Sequence, residues 1–205
     1  MPSWSTTSSA TRGLAALLCA AALLLTACGT KPTLLDADAL PEVEKTLDGS
    51  QGAPGTGWCD ALGYLETKLS SAADGTTGDQ YALENGDVVG ATVFVPGGGH
   101  YPDAGSMIAA IQEAVDECAA DADNGDYGEA TSEPISGLPD EAVGFTFTST
   151  SSNPVEVGSI AFAETDDGRL VGVGVTHSGD GEASVDVADL LSTALERAAD
   201  VDTTG

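Results

Sequence analysis

The sequence predicts an α+β fold: a single domain in which an antiparallel β-sheet carries helices packed on one face and is braced by one disulfide. Three observations predict it. The apolar patterns run as helices, a hairpin, a helix, several strands and a helix, without the regular βαβ alternation of a parallel sheet. Asn85-Gly86 and Asp166-Asp167-Gly168 each separate two runs of strand character, which reads as two hairpins. Two cysteines, Cys59 and Cys118, lie beyond an N-terminal apolar segment.

That segment, residues 14–25, is the one long apolar run, with Arg12 ahead of it and Leu25-Thr26-Ala27-Cys28 at its end. It is too short for a roughly 30 Å hydrocarbon core, which takes about 20 helical residues. It has the size of a signal-peptide h-region, and no twin arginine precedes it. Leu-Thr-Ala-Cys resembles the bacterial lipobox. The resemblance implies that residues 1–27 are removed as a signal peptide and that Cys28 becomes lipidated. Residues 28–35 would then be a tether at the extracytoplasmic face of the cell membrane. An ordinary secretory signal cut near Ala27 and an uncleaved signal anchor are the alternatives.

Beyond the tether the domain is expected over residues 36–201, with 202–205 as a tail. A helix is expected over residues 36–47, capped by Asp36 or Asp38, with Pro41 in its first turn and Leu40, Val43 and Leu47 on one face. The Gly/Pro-rich stretch 48–57 reads as a loop, 59–70 as a helix with Leu62, Leu65 and Leu69 aligned, and 71–79 as a polar loop. Strands follow at 80–84 and 87–95 around Asn85-Gly86. Asp103 then caps a helix reaching about Ala120, with Met107, Ile108, Ile111, Val115 and Cys118 on its inner face. Residues 121–132 read as an acidic loop and 138–142 as a turn. Strands are expected at 143–149, 155–164 and 169–177. A last helix begins near Ser184, turns Val187, Leu190, Leu191, Ala194, Leu195 and Ala198 inward, and complements its dipole with Asp186, Asp189 and Arg197.

Charge narrows the partners. All 33 acidic residues lie beyond the signal segment, against five basic ones: Lys31, Lys45, Lys68, Arg169 and Arg197. Such a surface cannot neutralise a phosphate backbone, so nucleic acid is excluded, as is polybasic attraction to anionic lipid. Membrane association then rests on the acyl chains of Cys28. The acidity serves solubility; a cationic ligand or divalent ion would also match it.

With Cys19 inside the signal and Cys28 lipidated, Cys59 and Cys118 are left to pair in an oxidising compartment. A bridge closing a loop of about 60 residues stabilises by roughly 4 kcal/mol in the chain-entropy model. The pair offers too few ligands for a zinc site.

Catalytic constellations are sparse. His100 and His177 are the two histidines, and there is no G-x-S-x-G elbow. Both read first as loop histidines. Gly98, Gly99, His100 and Tyr101, between a strand and a helix, are the candidate ligand-binding residues, forming the lip of a cleft. They are not a P-loop, because no Lys-Ser/Thr follows the glycines. Asp121, Asp123 and Asp126 invite a calcium reading, but counting from Asp121 fails the EF-hand loop at positions five, six and twelve. No metal and no cofactor are expected.

The order of a lipobox, a Cys, strands ending in Ala-Thr-Val-Phe-Val-Pro, a helix carrying a second Cys, and Gly-Leu-Pro-Asp-Glu-Ala-Val resembles one family over about residues 34–201. It is similar to the PknH-like extracellular sensor domains of actinobacterial receptor kinases and the small lipoproteins of the same fold. The resemblance implies a mixed α/β domain with a cleft for an extracellular ligand. It also matches Cys59 and Cys118 to one of two family disulfides; the second pair is missing here. The expected function is therefore that of a non-catalytic, lipid-anchored, sensor-like ligand-binding lipoprotein. A structural or accessory subunit of a cell-envelope complex is the alternative. A Ser/His hydrolase is a third, and requires His100 or His177 within reach of a serine and a carboxylate.

Overall fold

The computed structural model describes residues 32–47, 60–123, 131–149, 156–179 and 181–203. The chain divides into two units, residues 1–31 and 32–205, and the first lies outside the described residues. So do the signal segment, Cys28 and Cys59. Among the described residues no helix is long and apolar enough to cross a membrane.

Among the described residues the second unit contains seven strands: β1 (Val43–Thr46), β2 (Ala73–Leu83), β3 (Val88–Pro96), β4 (Thr131–Pro134), β5 (Val143–Ser149), β6 (Glu156–Glu164) and β7 (Leu170–Ser178). Three helices accompany them: α1 (Asp60–Ala72), α2 (Ala104–Asp123) and α3 (Val187–Ala198). All seven strands form one sheet in the order β1-β2-β3-β7-β6-β5-β4, and every neighbouring pair is antiparallel. Two meanders, β1-β2-β3 and β4-β5-β6-β7, thus meet at the central β3–β7 seam. The chain passes from the first to the far edge of the second through α2. This is the antiparallel α+β domain that the patterning predicts.

The helices do not share one face of that sheet, which corrects the expected layering. Alternate residues of the inner strands enter two separate cores. Val89, Ala91 and Val93 of β3 and Val171, Val173 and Val175 of β7 pack with α3. Phe94, Leu170, Ile160 and Phe162 pack with α1 and α2. Since successive side chains point to opposite faces, α3 covers one side and the α1–α2 pair the other. Strands buried on both faces lose polar alternation. The run Leu170-Val171-Gly172-Val173-Gly174-Val175 is apolar or glycine throughout, and all six residues are buried.

Three local expectations also change. The helix expected over residues 36–47 is instead a 3-10 turn, Ala37–Ala39, followed by β1. Asp36 does cap, accepting from the Asp38 amide at 3.1 Å. The turn stops ahead of Pro41, however, and the following residues join the edge of β2 with Val43 opposite Leu83. An isolated helix of that length is marginal, whereas the edge offers backbone partners at once. The polar loop expected over 71–79 is the end of α1 and the first half of β2. Its glycine at position 75 is there for close approach: a Cβ would lie 2.3 Å from the Thr203 carbonyl oxygen. Thr203, expected in a tail, therefore lies against the sheet. Strand β4, Thr131–Pro134, takes the last two residues of the expected acidic loop and pairs with β5.

The packed chain also starts earlier than expected. Leu34 and Leu35, assigned to the tether, are fully buried beneath α3. Arg197 fixes them there, donating from Nε to the Thr33 carbonyl at 2.8 Å.

On the α1–α2 face, large and small residues interlock. The Phe147 ring occupies the place a side chain would take at Gly158, with an added Cβ only 2.1 Å from its Cζ. Phe162 does the same over Gly172, at 2.6 Å. Gly158→Ala is expected to lower stability by about 1–3 kcal/mol through overpacking, read as a lower urea midpoint at unchanged slope. A wild-type midpoint would show that Phe147 is not seated on Gly158.

Candidate functional site

The α1–α2 pair leaves a groove along its outer side. Four positions of α1, Ala61, Tyr64, Leu65 and Lys68, recur every three or four residues and so share one face. Ala110, Glu113, Ala114 and Glu117 do the same on α2. The alanines keep the floor shallow and the longer side chains stand as walls. The space is two adjoining hollows of about 500 Å³ each, sharing Lys68, Tyr101, Ala110 and Glu113. Each falls within the size range of small-molecule sites.

The β3–α2 connection forms the lip at one end. Gly97 permits it, because a Cβ there would lie 2.3 Å from the Ala72 carbonyl oxygen at the end of α1. Gly98 and Gly99 then turn the chain with φ of 86° and 70°, and Gly98 pairs with Tyr101 in an isolated antiparallel bridge. That turn delivers His100 and Tyr101 to the groove, where both line the second hollow. Of the predicted ligand residues, His100 and Tyr101 thus face the groove, while Gly98 and Gly99 shape the turn that places them. Asp103 closes the connection as a helix cap, its Oδ1 accepting from the Ser106 amide at 2.7 Å.

The walls differ in charge. Lys68 Nζ sits 4.3 Å from the centroid of the Tyr64 ring, within cation–π range. Glu113 and Glu117 are exposed on the opposite wall, one helical turn apart. Among the described residues neither carboxylate has an ion-pair or hydrogen-bond partner.

Cys118 lies on the inner face of α2, buried, and is disulfide-bonded. It is the sole cysteine among the described residues. Asp121 and Asp123 belong to the last turn of α2 rather than to a loop. Asp126 lies outside the described residues. Among those described, no group of three or more His, Cys, Asp or Glu is arranged to hold a metal ion.

The opposite end of β3 holds a cluster that the sequence reading misses. Asp87 is wholly buried. Its Oδ1 lies 2.6 Å from His177 Nδ1. Its Oδ2 accepts from the Ser184 amide at 2.7 Å, the Ser184 hydroxyl at 2.6 Å and Asn85 Nδ2 at 2.9 Å. An ionised carboxylate can only accept, so Nδ1 of His177 carries the proton. Burial works to raise the Asp87 carboxyl, but the hydrogen bonds from Ser184, His177 and Asn85 outweigh it and hold it below its ordinary value. His177, expected as a loop histidine, is the last residue but one of β7, with its side chain 16% exposed. The signal that could have found the pair is parity. Asp87 shares a face with Val89, Ala91 and Val93, and His177 with Val171, Val173 and Val175.

The cluster contains a histidine, a serine and a carboxylate, the set a hydrolase requires, but in a different order. Ser184 gives its proton to Asp87 and not to His177, so the imidazole does not activate it. Among the described residues, no serine hydroxyl bonds His177. What the arrangement does is tie three segments together: the β2–β3 turn, the end of β7 and the approach to α3.

Asp87→Asn is expected to cost about 2–4 kcal/mol, since it removes an acceptor oxygen and the charge that strengthens the other bonds. The pH dependence follows from the lowered carboxyl. Asp87 stabilises fully above its unfolded-state value of about 3.9 and progressively less as pH falls toward its lower folded-state value. Urea midpoints measured between neutral pH and pH 3 should therefore converge for the wild type and the variant at the acid end. Parallel curves would contradict the assignment.

Comparison with known protein families, with characterised proteins and with solved structures finds no match to this chain.

Proposed function

We propose that this chain is a lipid-anchored, extracytoplasmic domain whose α1–α2 groove binds a small ligand without transforming it. The groove carries the proposal. It combines a small-molecule volume, a floor of alanine and leucine, aromatic rings from two elements, and a lip built for it by Gly97–Tyr101. The Leu25-Thr26-Ala27-Cys28 motif supports the anchor, as does the start of the compact unit at Pro32, four residues after Cys28. An extended chain of that length reaches only about 14 Å, so the domain would sit close to the bilayer.

Cys59 is the natural partner for the bonded Cys118. It immediately precedes α1, so the bridge would staple the start of that helix to α2 and hold the two walls of the groove at a fixed spacing. A ligand is favoured over a stoichiometric protein partner by the surface. Among the described residues Tyr64, at 65%, is the one exposed large hydrophobic side chain. Protein interfaces concentrate their energy in clusters of such residues. The serine-to-aspartate bond at Ser184 favours a binding role over a hydrolytic one.

Native mass spectrometry of the full chain purified from its own envelope tests this reading. The expected species carries acyl mass on Cys28, lacks residues 1–27, has two hydrogens fewer at Cys59 and Cys118, and retains a small molecule. Cys28→Ser should remove the acyl mass, and Ala110→Trp, which fills the groove from its floor, should remove the small molecule alone. An unacylated wild type, or a ligand retained by Ala110→Trp, would contradict the anchor and the groove respectively.

A further inference from the structure

We infer that the ligand class of the groove is an organic cation, an amine-bearing molecule with an apolar or aromatic body. This rests on the reading of the groove as a ligand site. Three features of the groove lead to the inference independently of its volume. First, the protein already places a cation there. The ammonium of Lys68 rests on the face of Tyr64, so that face attracts positive charge, and a ligand ammonium takes it by displacing the exposed Lys68 side chain. Second, Lys68 does so without bonding either carboxylate of the facing wall, leaving Glu113 and Glu117 unpaired among the described residues. Two unpaired carboxylates one turn apart repel each other on α2, and a ligand ammonium between them relieves that repulsion. Third, the field of the whole chain has the matching sign. A formal charge of −27 concentrates cations and repels anions at every cleft.

The groove divides the ligand accordingly. Leu65, Ala110 and Ala114 line an apolar floor for its body, with Tyr101 closing one end. Glu113 and Glu117 meet its charged head. An anion would face Lys68 alone, against two carboxylates and the field of the chain.

The test uses three probes of one shape and three charges: 2-phenylethylamine, 2-phenylethanol and phenylacetate. Each is titrated into the full chain, purified in non-ionic detergent and labelled with nitrogen-15, while the amide resonances of α1 and α2 are followed. The amine should shift groove amides and bind about fivefold more tightly than the alcohol, the size of one exposed cation–π or ion-pair contact. Phenylacetate should bind weakest. In Glu113→Gln/Glu117→Gln the amine's advantage should vanish while the alcohol's affinity holds; both positions are exposed, so the fold is retained. Equal binding of amine and alcohol, a preference for phenylacetate, or an amine advantage that survives the double substitution would each overturn the cation assignment while leaving the groove as a site. If no probe moves the groove amides, the groove reading itself fails.

Discussion

A buried carboxylate at the start of β3 holds the two halves of this sheet together. Among the described residues no lysine or arginine pairs with Asp87, yet it is wholly buried and held in its ionised form. Four hydrogen bonds make that possible, and three of them come from residues at least 90 positions away. An unsatisfied buried charge would be far too costly, so the bonds from His177 and Ser184 are obligatory once the strand is buried. They close the β3–β7 seam, where the first meander meets the second, and they fix the entry to α3 on one face of the sheet.

The same strand connects that tie to the groove. β3 begins beside Asp87 and ends at Pro96, immediately before the glycines that turn the chain toward α2. Fixing the start of β3 through Asp87 and its end through the close approach of Gly97 to Ala72 determines where His100 and Tyr101 arrive. α3 covers one face of the sheet and the α1–α2 pair the other, so a rigid, doubly covered sheet supports the walls of the groove. Phe147 over Gly158 and Phe162 over Gly172 supply that rigidity on the groove side. A groove built on helices braced in this way is pre-organised, which would reduce the entropy lost by any ligand it bound.

Elements whose signals are local were legible in the sequence. Asn85-Gly86 and Gly168 mark hairpins through their own backbone requirements, and both glycines have positive φ. Asp103 caps the helix it was expected to cap, and Asp186, expected only to complement the dipole of the last helix, is its N-cap. Elements defined by distant partners were not legible. β1 is a strand because β2 offers it an edge, and residues 73–79 are a strand because Thr203 and β3 lie against their glycines. The layering failed for a related reason. Glycine-interrupted apolar runs in β6 and β7 signal burial on both faces, but only after glycine is read as space for a phenylalanine on a neighbouring strand. At the site, His100 and Tyr101 were placed by the turn around them. Lys68, Glu113 and Glu117 looked like ordinary helix-surface charges until α1 and α2 were set side by side. Asp87 was hidden by its type, since an aspartate after Asn-Gly reads as part of the turn although its parity puts it in the core.

Whether the groove holds a small molecule in the living cell is the central question. A photo-crosslinking amino acid placed at Tyr64, with a control at the exposed Glu44 on the sheet edge, addresses it in intact cells. The account predicts an adduct of small-molecule mass at position 64 and none at position 44. A protein-sized adduct at position 64, or the same products at both positions, would contradict it.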